Sequence, residues 1–316
     1  MSILISKKVE KKHKWLKHIR FDDIQLLLLQ LPAIIYVFIF CYLPMYGIII
    51  AFKKFNPSKG IWGSKWVGFK NFEFLFTSQD MWRITRNTVL YSLWFLLIGN
   101  VCAILIAIFL YNLRGRMFVK IYHTIMILPT FISIILVSYI VYALLNPASG
   151  VINRVLVDLG MSKVDWYADP KPWPAILTIV DVWKGVGMGC VLYYAALMGI
   201  DSDLFNAAKI DGANKVQQMW YIAVPELASV VAIRIIMGFG GLFSGDFGLF
   251  YQVTRNSAAL YSTTDIINTY TFRALMENND IATSSAVGLA QSVVGLFMIL
   301  LVNGVIRKVS YENRLF

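Results

Sequence analysis

DSDLFNAAKIDGANKVQQMWYIAVPEL, residues 201–227, is the best-patterned polar stretch of the chain, and it lies between two long apolar runs. Asp203 is placed to cap a short helix over residues 204–210, because its carboxylate can accept from the free N–H groups of a first turn. Ala207 and Ala208 favour helix and add little bulk. Gly212 permits a sharp reversal, and Asp211 can bond local backbone. A second helix is expected over residues 214–223, ended by Pro225 before the chain turns apolar again. Two short helices joined by a tight turn at a membrane surface make a docking element, whose small residues let the groove of a soluble partner close over it.

Outside this loop the chain is strongly apolar. Of its 316 residues 58% are hydrophobic and 15% charged, and the mean hydropathy is +0.64. A soluble domain carries about 45–50% apolar and ~25% charged residues, so there is too little charge here to cover a water-facing surface. A soluble enzyme, a disordered chain and a nucleic-acid-binding domain are excluded on that ground. At ~1.5 Å per residue, ~20 apolar residues cross a hydrocarbon core of ~30 Å. Six runs qualify: residues 24–52, 88–112, 119–145, 173–200, 228–250 and 283–306. They are continuous rather than alternating, which favours helices over strands. The expectation is one all-α polytopic membrane domain of six transmembrane helices.

The net charge is +11, from 29 basic and 18 acidic residues. Lys7, Lys8, Lys11, Lys12, Lys14, Lys17 and Arg20 precede the first apolar run. They read as a cytoplasmic flank facing anionic headgroups, so no nucleic-acid partner is expected. The run behind them is too long for a signal peptide and no small-residue cleavage site follows it, which suggests a retained first helix. An even number of spans then returns the C-terminus to the cytoplasm. Basic residues number 15 on the expected inner segments against 12 on the outer ones. The outer segment 53–87 is aromatic and basic, suited in part to an interfacial belt. The outer segment 146–172 begins NPASG and ends DPKP, signals of turning and re-entry. Cys41, Cys102 and Cys190 lie in apolar runs, and His13, His18 and His123 are scattered, so neither a disulfide framework nor a metal centre is expected.

Ionisable groups inside spans are costly and are functional candidates. Asp181 and Lys184 stand three apart on one face and can pair. Arg234 can snorkel to the inner surface, and Asp246 lies near the outer end of its run. Gly185, Gly187 and Gly189, then Gly238, Gly240, Gly241 and Gly245, permit close helix approach. Pro129 is expected to bend the third span.

The loop at 201–227 resembles the EAA loop of permease subunits of binding-protein-dependent ABC importers: Glu-Ala-Ala, three residues, Gly, nine residues, Ile, one residue, Leu-Pro. This chain has Asn206-Ala207-Ala208, Gly212, Ile222 and Val224-Pro225, and Asp211-Gly212-Ala213 matches the usual Asp-Gly-Ala. Asn206 stands where Glu is usual and removes a carboxylate that can pair with a basic residue of the ATPase, while Val224 replaces Leu. ILPTFIS at 127–133 and LLNPASGVIN at 144–153 resemble carbohydrate permeases related to the maltose system. GDFGLFYQV at 245–253, TTDIINTYTFRAL at 263–275, AVGLAQSVVG at 286–295 and ENRLF at 312–316 resemble the LplB-like polysaccharide branch.

The resemblance implies a type I, maltose-permease-like ABC importer transmembrane domain in a bacterial cytoplasmic membrane. Its parts would be a basic cytoplasmic segment 1–23, a six-helix domain 24–306 and a cytoplasmic tail 307–316. It implies a second, homologous permease, two ATPase subunits, an extracytoplasmic solute-binding lipoprotein and an oligosaccharide substrate. Asn206, Ala207, Ala208, Asp211, Gly212, Ala213 and Pro225 would dock the ATPase. No Gly-Lys dipeptide occurs, so ATP and its Mg²⁺ belong on the partner ATPase, and this chain is not expected to be an enzyme. Closure of the ATPase dimer would move residues 204–213 and drive alternating access. Asp181, Trp183, Lys184, Tyr193 and Gln291 are the candidates for lining the path. A secondary transporter would account for six spans and Asp181 but not for the loop; a permease for a non-sugar solute remains the other alternative.

Overall fold

The computed structural model describes residues 21–113 and 115–309. The basic cluster at 7–20, Arg114 and the ENRLF motif lie outside the described residues. Four helical stretches among the described residues are long and apolar enough to cross a membrane: Gln25–Phe52, Gln79–Asn112, Trp173–Met198 and Ile281–Lys308. Two bent pairs also qualify, Arg116–Phe131 with Ile134–Leu145 at 96° and Lys215–Glu226 with Ala228–Gly240 at 51°. The six expected crossings are therefore four unbroken stretches and two broken ones, with each bent pair taken as one. The helices are named here α1 (Phe21–Val37, extended by a π turn at Phe38–Tyr42 and a 3-10 stretch at Leu43–Phe52), α2 (Gln79–Asn112), α3 (Arg116–Phe131) and α4 (Ile134–Leu145). Next come α5 (Trp173–Met198), α6 (Ser202–Ile210), α7 (Lys215–Glu226), α8 (Ala228–Gly240) and α9 (Ile281–Val309). The spans contain no strand; a two-residue hairpin pairs Lys53 with Trp66 and Lys54 with Lys65 in the segment that follows the first span.

Helices in lipid gain little from the hydrophobic effect and associate by close packing. α5 crosses α2 and α3 in this way. A Cβ on Gly187 would stand 2.0 Å from the Met126 carbonyl oxygen, and one on Gly189 would meet the Arg234 guanidinium at 2.6 Å. Gly185 faces open space, so only part of that glycine run is a packing device. Two buried clusters result. One gathers Ala103, Ala107, Leu110, Cys190, Tyr193, Leu197, Met219, Ala223 and Leu227 above the loop at 201–227. The other gathers Tyr91, Val137, Trp173, Leu177, Phe250 and Ile266 toward the far end.

The break in the third span is sharper than Pro129 alone suggests. α3 continues two residues past Pro129, and Ile132 N–H turns back to the Pro129 carbonyl at 3.1 Å. α4 then starts at a Ser133 cap, whose hydroxyl accepts from Leu136 N–H. The freed carbonyls of Thr130 and Ile132 accept from Lys184 Nζ at 3.2 and 2.7 Å, and Thr130 Oγ1 donates to the Lys184 carbonyl at 2.8 Å. The expected Asp181–Lys184 pair is thus not formed. A helix end inside lipid has no water to satisfy its carbonyls, so the Lys184 ammonium donates to them and not to the Asp181 carboxylate.

The fifth span also departs from expectation. α8 ends at Gly240, not near residue 250, and the chain turns through Gly245 into a π turn at Leu249–Val253. Gly240 packs α8 against α9: a Cβ there would stand 2.8 Å from Ile299, and one on Gly295 3.0 Å from the Gly240 carbonyl. Arg234 does not run to a surface. Its guanidinium lies 5.5 Å from the Tyr193 ring centroid, in the space that Gly189 leaves.

Between α8 and α9 the chain is held by a buried ionic knot. Arg273 Nη2 reaches both oxygens of Asp265 at 2.7 Å, and its Nη1 donates to Asn256 Oδ1 at 3.1 Å. Thr269 Oγ1 donates to Asp265 Oδ1 at 2.8 Å, and the guanidinium lies 4.1 Å from the Tyr261 ring centroid. Burial pushes the Tyr261 phenol above its usual pKa, with Arg273 pulling the other way. Asn87 Nδ2 donates to the Asp265 and Ser262 carbonyls and moors the knot to α2. The knot holds Arg255 and Asn256 at φ +56° and +48°.

Candidate functional site: the 201–227 loop and the interior

The loop forms the two expected helices, with shifted boundaries. The first cap is Asp201, not Asp203: its carboxylate accepts from Asp203 N–H at 3.0 Å and the helix starts two residues earlier, at Ser202. α6 closes with a paired C-terminal motif. Ala213 N–H donates to the Ala208 carbonyl at 2.9 Å and Gly212 N–H to the Lys209 carbonyl at 3.2 Å. That pattern needs a left-handed residue at the turn, and Gly212 supplies it at φ +84°. One residue later Asn214 and Gln217 cap α7 reciprocally, at 2.9 and 2.8 Å, a capping box.

Pro225 does not end the second helix; α7 runs on to Glu226. A π turn at Met219–Ala223 precedes it, with Val224 N–H donating to the Met219 carbonyl. The proline therefore enters a locally widened turn, in which the loss of its N–H is tolerated. The 51° bend falls after Glu226, where Leu227 is buried.

The loop is fixed to the bundle. Phe205 packs on Tyr111 at the end of α2, with ring centroids 5.8 Å apart, and Met219, Ala223 and Leu227 are core residues beside Leu197. Its other face is open. Asn206, Ala207, Asp211, Gly212 and Pro225 are exposed, and Ala208 and Ala213 are half-buried. Beside them stand exposed apolar side chains that sequence reasoning missed: Ile210 (87% exposed), Val216 (77%), Tyr221 (74%) and Trp220 (66%). The available signal was a cluster of large apolar residues within a polar loop.

The interior candidates are not gathered at one place. Tyr193 is fully buried, and its hydroxyl donates to Asn100 Oδ1 at 2.6 Å. Lys184 closes the end of α3. Trp183 is 42% exposed, and Asp181 is half-buried on the same helix. Gln291 Nε2 donates to the Phe243 carbonyl at 2.6 Å and to Asn268 Oδ1 at 3.1 Å. A cavity of about 660 Å³ opens where α8 stops, lined among others by Ser92, Gly241, Asp246, Phe247 and Asn268. Of the five candidates, Gln291 reaches it, through Asn268.

The comparisons agree with this architecture. A family model described as "Binding-protein-dependent transport system inner membrane component" matches residues 99–311. Protein LplB of Bacillus subtilis (strain 168) is 31% identical over 299 residues, 95% of this chain and 93% of that protein. The polygalacturonan/rhamnogalacturonan transport system permease protein YteP of the same organism is 31% identical over 310 residues, 98% of this chain and 95% of that one. A chain in the crystal structure of a bacterial alginate ABC transporter, in complex with its alginate pentasaccharide-bound periplasmic protein, superposes with a TM-score of 0.82 at 30% identity. The match covers 91% of this chain and 96% of that one.

Proposed function

Because this chain belongs to the family of binding-protein-dependent transport system inner membrane components, we propose that it is the permease subunit of an ATP-driven importer for an oligosaccharide or polysaccharide fragment. The likeness to YteP and to the alginate transporter supports the substrate class. A solute-binding protein outside the membrane delivers the sugar, as the periplasmic protein in that solved complex suggests. A second, homologous permease completes the path, and two ATPase subunits carry ATP and Mg²⁺. The chain sits in the cytoplasmic membrane with both termini and the 201–227 loop on the ATPase side.

The observation that carries the reading is the loop. It is rigid by its own backbone bonds, anchored in the core by Phe205, Met219 and Leu227, and open along Asn206, Ala207, Ile210, Asp211, Gly212, Trp220 and Tyr221. A rigid lever with an apolar outer face converts a displacement of a docked ATPase into movement of the helices it is rooted in. The amide of Asn206 keeps hydrogen-bonding capacity at the docking face and forgoes an ion pair. The path includes the cavity at Asp246 and Asn268, with Gln291 behind it.

Deletion of residues 207–213 tests the docking role. ATPase copurification and sugar uptake are both expected to vanish while the permease remains in the membrane. Persistence of both would sink the reading.

A further inference from the structure

A second cavity, of about 560 Å³, lies at the same end of the bundle as the docking loop and belongs to neither the loop nor the path. It opens between the start of α3 and the end of α5: Met198 lines it, and the loop begins three residues later. Its rim carries Arg116 and Lys120, four apart and so on one face of α3. Neither forms an ion pair among the described residues, and no carboxylate lines the cavity. Its inner part holds His123 and Tyr194, packed edge-on at 4.7 Å. His123 Nε2 is buried there with no hydrogen-bond partner. Ile127 and Met198 contribute apolar wall. The N–H groups that begin the 16-residue helix α3 add partial positive charge at the same mouth.

We propose that this cavity binds the phosphate of an anionic phospholipid headgroup, held by Arg116, Lys120 and the buried Nε2 of His123, with the glycerol and upper acyl carbons against Ile127 and Met198. Two cations with no ion pair among the described residues and a buried nitrogen with no hydrogen-bond partner there select a phosphate. The apolar wall, beside the ends of α2 and α5 and along the first turns of α3, selects a lipid over a free ion. A basic pocket between helix ends at a membrane surface is the setting in which anionic headgroups are held.

The test is native mass spectrometry of the full-length chain, purified in mild detergent with whatever subunits accompany it, given equal phosphatidylglycerol and phosphatidylcholine. Phosphatidylglycerol should be retained in preference. The R116A/K120A double variant should lose that preference, with retention falling roughly tenfold or more. Lys120→Arg should keep it, and an unchanged thermal midpoint shows that the variants are folded; should the double variant not fold, Arg116→Gln and Lys120→Gln singly carry the test. Equal retention of both lipids, or undiminished phosphatidylglycerol on the folded variants, overturns the proposal. Full displacement by millimolar inorganic phosphate also overturns it, because the lipid portion would then contribute nothing.

Discussion

The ammonium of Lys184 donates a 2.7 Å hydrogen bond to the carbonyl of Ile132, so the middle of one membrane helix completes the broken end of another. The same side chain accounts for Thr130, whose hydroxyl in turn holds the Lys184 carbonyl. An intramembrane cation is here a cap for a helix that stops halfway.

Lys184→Met should therefore destabilise the protein by about 1–3 kcal/mol, the cost of leaving buried acceptors unmade. Lys184→Arg should recover most of it. Thermal unfolding in detergent reads the difference, and an unchanged midpoint for Lys184→Met would refute the capping role.

Gly187 and Gly185 make a matched pair. Gly187→Ala forces a methyl onto the Met126 carbonyl and should cost about 1–3 kcal/mol through overpacking. Gly185→Ala meets nothing within 4 Å and should leave stability unchanged. Expression level and thermal midpoint of the two variants check this, and equal behaviour would contradict the packing geometry.

At the turn of the 201–227 loop, Gly212→Val places a β-branched residue at φ +84°, at a cost of about 1–2 kcal/mol. The loss should show in ATPase association and transport before it shows in the global midpoint, because the turn is exposed. Gly212→Asn should be milder, since asparagine tolerates the left-handed region.

The exposed aromatics should behave as binding residues and not as structural ones. Trp220→Ala and Tyr221→Ala are each expected to weaken ATPase association by about 2 kcal/mol, the scale of an interface hot spot, with no change in thermal midpoint. Pull-down against an ATPase concentration series measures it. A fall in stability with unaltered association would place these residues in the fold instead.

Asp265→Asn leaves Arg273 as a buried, uncompensated charge, and breaking such a pair costs about 3–5 kcal/mol. The double variant D265N/R273M should be closer to the parent than D265N alone. Both are read by unfolding in detergent.

Much of this was legible from residue order. Apolar run length marks the four unbroken candidate spans and both bent pairs, and the positions of Ala207, Ala208, Gly212 and Pro225 mark the two-helix loop. What was not legible depended on contacts far apart in the chain. Spacing along one helix suggested that Lys184 would face Asp181, but its partners are carbonyls more than fifty residues away, freed by a break that hydropathy does not record. Tyr193, a candidate for lining the path, is enclosed by Asn100 and Arg234, which come from two other helices. Conversely Ile210, Val216, Trp220 and Tyr221 were read as part of a helical pattern, when their exposure is what distinguishes them. The knot at Asp265 and Arg273 gave no periodic signal, because it joins a residue just ahead of the short helix Ile267–Met276 to a residue two turns along it.

The stretch from Gln25 to Tyr42 has no buried residue, whereas α5 carries Asp181 and Lys184 through the bundle. This difference bears on the order of assembly during synthesis. The first helix can partition into lipid as it emerges, needing no neighbour. α5 can come to rest once the acceptors of Lys184 are in place, and these belong to α3, which leaves the ribosome earlier. Lys184 is thus made after the carbonyls that receive it, and a permutation placing α5 first would expose a bare cation to the bilayer while the ribosome was still at work.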